Sequence, residues 1–161
     1  GQFAANSRPA LQVEDTYAHL RMDRAATPWY AYADWQIAVA RDLPWQLLVS
    51  THLGQAALDL EGLIVHDVVV GTGIGDIRVP APQESLGQIY LRSTLGNIHL
   101  TTPMGYNVRV FIEPSPFLNV RADEYRYEQT ADDTYEASEA EPDAPLVEIR
   151  ISGTFGDVYL A

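Results

Sequence analysis

The chain lacks cysteine and lysine, and its basic side chains other than histidine are ten arginines. Without cysteine, the protein can form no disulfide, no thiolate metal site and no thiol nucleophile. No apolar run approaches the ~18 residues that a membrane-spanning helix requires, and no charged and then apolar leader opens the chain. We therefore expect any membrane association to depend on a tether outside this chain.

Acidic residues dominate the charge of the protein. The 22 aspartates and glutamates against ten arginines give a formal net charge of -12. A surface this negative repels phosphate backbones and anionic lipid headgroups, so we expect neither nucleic acid nor bare membrane as a partner. An apolar content of 47% over 161 residues is that of one ordinary globular domain with a sizeable core.

A repeat is the strongest pattern in the sequence. Gly54, Gly75 and Gly96 are spaced by 21 residues, and each follows a leucine or isoleucine and precedes a polar residue. A fourth copy surrounds Gly156, and a fifth, with Ala18 in place of the glycine, spans residues 17–22. Such short units are typical of stacked architectures, because one unit cannot bury its apolar face alone.

Apolar residues also recur at fixed distances before the glycine position. Seven residues upstream stand Leu11, Leu47, Val68, Ile89 and Ile149, and five residues upstream stand Val13, Val49, Val70, Leu91 and Ile151. Alternation on both sides of a glycine indicates two short strands joined by a tight bend. The sequence thus predicts an all-β protein, a right-handed β-solenoid with coils of about 21 residues.

Stacking of the coils predicts which side chains face the core. Parallel coils lie ~4.8 Å apart, so equivalent residues form files along the stack. The predicted interior files are Leu53–Ile74–Leu95 and Val49–Val70–Leu91. On this prediction Leu95→Asp unfolds the protein, whereas Arg92→Asp, at a link that faces water, is nearly silent.

The repeat glycines Gly54, Gly75, Gly96 and Gly156 are predicted to be structural. Glycine at a corner allows a positive φ or a close approach to the next coil. The aspartate or asparagine that follows most of them tolerates turn geometry. We therefore assign these glycines to the bends between strands and not to a binding site.

Two segments interrupt the repeat within the single domain of residues 1–161. Residues 1–45 are predicted to form an irregular coil whose Trp29, Tyr30, Tyr32 and Trp35 cap the stack or, alternatively, form an aromatic carbohydrate-binding surface. Regular coils follow at 46–122, with a worn coil and a register slip near Val120. Nine carboxylates make residues 123–145 an expected mobile loop, dispensable for folding, with calcium binding left open. Residues 146–161 form the final coil.

Motifs that would carry chemistry are missing or incomplete. The run Gly71-Thr72-Gly73-Ile74-Gly75 precedes a strand and not a helix, which excludes a dinucleotide loop. The four histidines have no paired-ligand spacing, and no serine lies in a nucleophile elbow. Asp59, Glu61 and Asp76 could form glycosidase-like carboxylate pairs, but so acidic a chain offers many such pairs. We predict no enzymatic activity, no cofactor and no metal.

Three phrases carry a resemblance to a known family. They are Leu58-Asp59-Leu60-Glu61-Gly62-Leu63, Gly71-Thr72-Gly73-Ile74-Gly75-Asp76-Ile77 and the ending Gly153 to Val158. Over about residues 35–161 the chain resembles the toastrack or "putative adhesin" domains, one of which forms the C-terminal part of a cell-wall-antibiotic response regulator. The resemblance implies a right-handed β-helix tethered outside the cytoplasmic membrane, with no established catalytic residues.

Two functions follow as hypotheses. The first is an extracytoplasmic interaction or sensor module of the bacterial cell envelope, whose partner is a protein or a surface glycan. The second is a carbohydrate-binding or carbohydrate-active β-helix protein that uses the tryptophan-rich segment. Because Ala161 directly follows the last copy, we also expect an unpaired strand edge there and a homodimer formed through it.

Overall fold

A computed structural model describes residues 2–3, 9–14, 17–22, 33–34 and 36–161. The regular structure in these residues consists of strands, which confirms the all-β prediction. The strands are β1 Gln2–Phe3, β2 Pro9–Glu14, β3 Tyr17–Met22, β4 Ala33–Asp34, β5 Trp45–Leu53, β6 Ala56–Ala57, β7 Ile64–Ile74, β8 Ile77–Pro80, β9 Glu84–Ser85, β10 Ile89–Leu95, β11 Ile98–Thr101, β12 Asn107–Ile112, β13 Leu118–Ala122, β14 Tyr127–Ala131, β15 Thr134–Ala137 and β16 Leu146–Leu160.

The chain divides into two compact units, Gly1–Val39 and Ala40–Ala161. In the first unit β1 pairs with β4, and β2 pairs with β3 as an antiparallel hairpin. The fifth repeat copy predicted at residues 17–22 is therefore wrong, because Leu20 faces Leu11 across a hairpin instead of stacking on a parallel copy. Val13, which the repeat aligns with Val49, Val70 and Leu91, is 63% exposed.

Parallel ladders build the second unit. β5, β7 and β10 pair side by side, so that Val49, Val70 and Leu91 stand in register at the predicted spacing of 21 residues. β6, β8 and β11 form a second parallel ladder in the same order. We call each pair of strands a rung: rung 1 is β5 with β6, rung 2 is β7 with β8, and rung 3 is β10 with β11.

The last strand occupies an interior place in the stack. We call β16 rung 5 and the pair β12 with β13 rung 4. β16 pairs in parallel with β10 and β11 on one side and with β12 and β13 on the other. The spatial order is therefore 1-2-3-5-4, and the predicted homodimer edge at the C-terminal coil is wrong because Tyr159 lies in a strand paired on both sides. Chain order does not dictate stacking order.

Rung 4 is the worn coil of the sequence, with the predicted register slip. Ile112 pairs with Ile151 and Leu118 pairs with Gly156. In rung 4, six positions separate Ile112 from Leu118 (118 − 112), whereas in rung 5 five positions separate Ile151 from Gly156 (156 − 151). Rung 4 therefore has one extra residue at its corner. Leu118 takes the place that glycine holds in the other rungs.

The acidic segment is ordered as a hairpin, and its prediction as a loop is wrong. β14 and β15 pair with each other, and β15 pairs antiparallel with β12 beyond the last rung. Tyr127 is buried and shares a hydrogen bond with the hydroxyl of buried Thr102. Carboxylates occupy the water-facing positions of this hairpin, and their large number led to the prediction of a loop. The few apolar side chains of its two short strands cover the end of the sheet.

The core of the second unit lies between the two ladders. Its fully buried members are Val65, Val68, Val70, Ile77, Ile89, Leu91, Ile98, Leu100, Val108, Val110, Val147, Ile149, Ile151, Val158 and Leu160. The predicted interior file of Val70 and Leu91 is thus correct. The other predicted file is wrong: Leu53, Ile74 and Leu95 are exposed.

Strand geometry explains the error in that file. The register of rung 3 is the same on both sides of Thr94, since Ser93 pairs with Thr72 and Leu95 with Ile74. Ser93 is buried, but Thr94 and Leu95 are both exposed, so the side-chain alternation breaks at Thr94. The neighbouring rungs lack a pairing at the same position, which shows that their strands bend together there. Leu95 therefore points to solvent at the corner, and burial resumes at Ile98.

Candidate interaction surface

An exposed apolar ladder runs along the corner between the two sheets. Its members, which we call the corner ladder, are Leu53, Ile74, Leu95, Phe155 and Phe117. Leu53 pairs with Ile74, Ile74 with Leu95, and Leu95 with Phe155, one member per rung. Phe117 completes the series in rung 4, where its ring stacks on that of Phe155 with the centroids 4.8 Å apart.

A glycine directly follows four of the five residues of the corner ladder, and its backbone conformation explains why these side chains point outward. Gly75 and Gly96 have φ of 144° and 148°, and an added Cβ would lie 2.0 and 2.3 Å from the carbonyl oxygen of the glycine in the rung before. Such a backbone is open to glycine and closed to other residues. The stacked glycines therefore let the rungs approach closely at the bend and present the preceding side chains outward.

The size of the corner ladder exceeds what scattered surface residues produce. Its five side chains are between 45% and 59% exposed. At ~150–250 Å² for a large side chain, they expose roughly 400–500 Å² of mostly apolar surface. Continuous patches of this size on a monomer are often functional. A single exposed apolar residue is common on protein surfaces, but an exposed large apolar residue on every rung requires an explanation.

A polar ladder borders the corner ladder. It consists of Gln55, Asp76, Asn97 and Asp157, each one residue after a repeat glycine, and of Asn119, which follows Leu118 in rung 4. The backbone N–H of Asn97 donates to Asp76 Oδ1 at 2.9 Å, and that of Asp157 donates to Asn97 Oδ1 at 3.0 Å. Because these side chains bind the next rung, they fasten the stack and leave few groups for a ligand.

Rings and guanidiniums fill the next outward file of the second ladder. His99 stacks on Tyr159 with 4.7 Å between centroids and an interplanar angle of 5°, and the Arg121 guanidinium lies 5.8 Å from the centre of the Tyr159 ring. Their stacking occupies the ring faces that a sugar would need. The file is therefore a poor sugar platform, although its ring edges face outward.

A second irregularity lies in β7. The pairing with β5 shifts between Trp45 and Gln46, which leaves His66 as an extra residue. Asp67 accepts hydrogen bonds from the backbone N–H of Gln88 at 3.1 Å and from His66 Nδ1 at 2.8 Å. These two contacts, the first the stronger, hold the pKa of Asp67 below its usual value. The pair lies on the surface with no described hydroxyl nucleophile bonded to it.

Two of the three carboxylates considered for glycoside chemistry, those of Asp59 and Asp76, are engaged elsewhere. Asp59 accepts a hydrogen bond from the backbone N–H of Glu61, and Asp76 is bonded to Asn97 and Arg78. Within residues 36–161 and the described strands before them, no group of three or more histidines and acids could hold a metal ion. Trp29, Tyr30, Tyr32 and Trp35 lie outside the described residues, so the predicted aromatic cap or sugar surface stays a prediction.

The corner ladder was not predicted from the sequence, although the spacing of the apolar residues indicates it. Leu95 and Ile98 stand three residues apart, and an odd spacing puts two residues of a regular strand on opposite faces. The same spacing recurs in every copy. Either the file of Leu95 or the file of Ile98 therefore had to face solvent. The polar residues Thr51, Thr72 and Ser93, which precede the corner, mark the place where the outward-facing side changes.

The comparisons with known proteins agree with the fold. The family model described as the N-terminal domain of toast_rack, DUF2154, matches residues 5–99. It covers more than half of the chain, so the protein belongs to this family. The match begins well before residue 35, where the sequence resemblance was placed, and stops earlier.

One solved structure supports the same architecture. It is the crystal structure of a "putative cell adhesion protein" from Clostridium sporogenes ATCC 15579, with a TM-score of 0.69 and 15% sequence identity over 95% of this chain and 74% of that chain. At this identity the likeness shows the fold. The comparison with curated proteins finds no match. Among the described residues, no helix is long and apolar enough to cross a membrane.

Proposed function

We propose that this chain is a non-catalytic, adhesin-like interaction module of the bacterial cell envelope, displayed outside the cytoplasmic membrane. The corner ladder carries the proposal: an unbroken file of large apolar side chains on a rigid, paired scaffold. The partner that best fits such a file is a protein, because fully desolvated apolar side chains supply the centre of protein interfaces.

The architecture that belongs to this proposal is the right-handed single-stranded β-solenoid. The parallel ladders and the short connections between successive rungs support it, since crossovers between parallel strands of one sheet are right-handed in nearly all proteins. Function as a surface module is further supported by the similar fold of the Clostridium sporogenes protein described as a "putative cell adhesion protein".

Substitutions on the ladder test the proposal. Leu95→Arg and Ile74→Arg place a charge in the ladder at exposed positions, so both variants should fold. Leu86→Arg is the matched control, because Leu86 is a similarly exposed leucine outside the ladder. The purified proteins, fixed to beads, are compared for retention of cell envelopes from the bacterium that encodes the chain.

We expect wild type and Leu86→Arg to retain envelopes and both ladder variants to lose most retention. If the ladder variants bind as well as the control, the corner ladder is not the binding surface. A reducing-sugar assay on envelope polysaccharides accompanies the measurement, and turnover there would contradict a non-catalytic role. Protease treatment of intact cells tests the location, since a protein resistant to external protease is not displayed outside.

A further inference from the structure

Two arginines stand together on the outward face of the first ladder. The pairing of β10 with β16 places Tyr90 beside Arg150 and Arg92 beside Ser152. Arg92 and Arg150 are therefore diagonal neighbours on adjacent strands, and long side chains reach each other across such a diagonal. Both strands have partners on each side, so the two arginines are anchored in the rigid centre of the stack.

Neither guanidinium has a carboxylate partner among the described residues. Arg78, Arg109 and Arg121 each lie within 4.0 Å of a carboxylate, but Arg92 and Arg150 do not. Arg150 lines one open cleft with Glu113 and Asp133, and its guanidinium lies 5.8 Å from the centre of the Phe111 ring. Glu148 precedes Arg150 by two residues on the same face of β16, but its carboxylate contacts Arg109. In a chain of net charge -12, two neighbouring cations without close counter-ions are unusual, and an external anion would relieve their repulsion.

The groups around the arginines add donors and space. The hydroxyls of Tyr90 and Ser152 share a hydrogen bond of 2.7 Å on the other diagonal. Because two hydroxyls carry two protons and this bond uses one, the pair can still donate to a ligand. Gly71 lies beside Arg92 in rung 2, and a Cβ there would meet nothing within 4 Å. The site is therefore rich in donors and open on one side.

We propose that Arg92 and Arg150 bind the carboxylates of an acidic polysaccharide. A guanidinium fork matches a carboxylate in a two-bond geometry. The rungs repeat every ~4.8 Å, close to the length of one pyranose unit in an extended chain. Ser50 and Thr94, exposed near the two arginines, would meet the hydroxyls of successive sugars. This second site goes beyond the corner ladder, and its failure leaves the proposal for that ladder standing.

Binding of fluorescent oligogalacturonate, a linear polyuronate, tests the site by anisotropy at about 0.15 M salt. Arg92→Gln and Arg150→Gln should each weaken binding about tenfold, and the double variant should lose saturable binding. Arg41→Gln is the matched control, because Arg41 is an exposed arginine outside this face and in no described ion pair. Arg92→Lys keeps the charge without the fork and should bind with intermediate affinity.

Three results would overturn the inference. The wild-type protein could fail to bind oligogalacturonate, the double variant could bind like wild type, or Arg41→Gln could lose as much affinity as the other variants. Polyglutamate serves as competitor, and displacement by it at equal concentration would point to an acidic protein segment instead of a glycan. Neutral dextran should neither bind nor compete. Melting temperatures confirm that each variant is folded.

Discussion

Leu91 and Leu95 lie four residues apart in one strand, and their files look equally apolar in the sequence. In the structure Leu91 is fully buried and Leu95 is 48% exposed. The strand bends between them: Thr94 and Leu95 are both exposed, so the side-chain alternation that buries Leu91 ends before Leu95. The file of Leu91 stabilises the core, whereas the file of Leu95 is free to contact a partner. The apolar pattern of the repeat therefore reflects both packing and surface exposure.

Charge substitutions in the two files give the largest expected contrast. Leu91→Asp buries an unpaired carboxylate and should cost more than about 4 kcal/mol, enough to unfold a marginally stable domain. Leu95→Asp should change the free energy of unfolding by less than about 1 kcal/mol. Urea titration followed by circular dichroism measures both. Equal losses would show that the two files do not differ as described.

The corner itself can be tested at the glycines. Gly96→Ala combines a positive φ with a Cβ 2.3 Å from the Gly75 carbonyl oxygen, and we expect a loss of about 4 kcal/mol from strain and crowding together. Gly71→Ala is the control, because Gly71 lies within β7, before the corner, and has neither constraint. Its urea midpoint should match wild type. A tolerated Gly96→Ala would mean that the stacked glycines are dispensable.

Two tyrosines extend the comparison to the end of the sheet. Tyr127 is 3% exposed and Tyr125 is 91% exposed, two residues away in the acidic segment. Tyr127→Ala should cost about 3 kcal/mol, whereas Tyr125→Ala should be neutral. Thermal unfolding distinguishes them. If both are silent, the acidic segment is a dispensable loop after all, as its charge suggested.

The repeat positions show which features of the fold can be predicted from the sequence. The spacing of Val49, Val70 and Leu91 predicted the parallel ladder and its register, because each repeat must bury its apolar face on a copy of itself. The outward turn of Leu95 was not predicted, since the bend at Thr94 breaks the side-chain alternation without changing the 21-residue spacing. The insertion of β16 between β10 and β12 was also missed, because a repeat specifies which strands can pair but not their order.

The candidate site was the least predictable part. The corner ladder followed from a misassigned face, and the neighbourhood of Arg92 and Arg150 depends on a strand pairing that joins residues 60 positions apart in the sequence (152 − 92). No local motif encodes such a pair. The acidic hairpin was misread for a related reason, because composition reports the many exposed carboxylates and not the few buried side chains.

The bulge at His66 is the second place where alternation inverts, and it gives the smallest expected effect. Asp67 there accepts the Gln88 backbone N–H and contacts His66, so its pKa is lowered in the folded protein. A carboxyl with a lowered folded pKa stabilises the fold above its unfolded pKa, and that contribution is lost as the pH falls through the folded value. Asp67→Asn should therefore be less stable than wild type at pH 6, and the gap should close below about pH 4.

Urea midpoints at pH 6, 5, 4 and 3 measure that gap for the pair of proteins, which cancels the titration of all other acids. Asp42→Asn is the control for loss of one negative charge, because Asp42 is exposed and outside the bulge. Its difference from wild type should not follow the same pH course. Since Asp67 lies at the surface, solvent screens its contacts and the gap should be small. A gap that stays constant down to pH 3 would mean that Asp67 fastens the bulge by shape and not by charge.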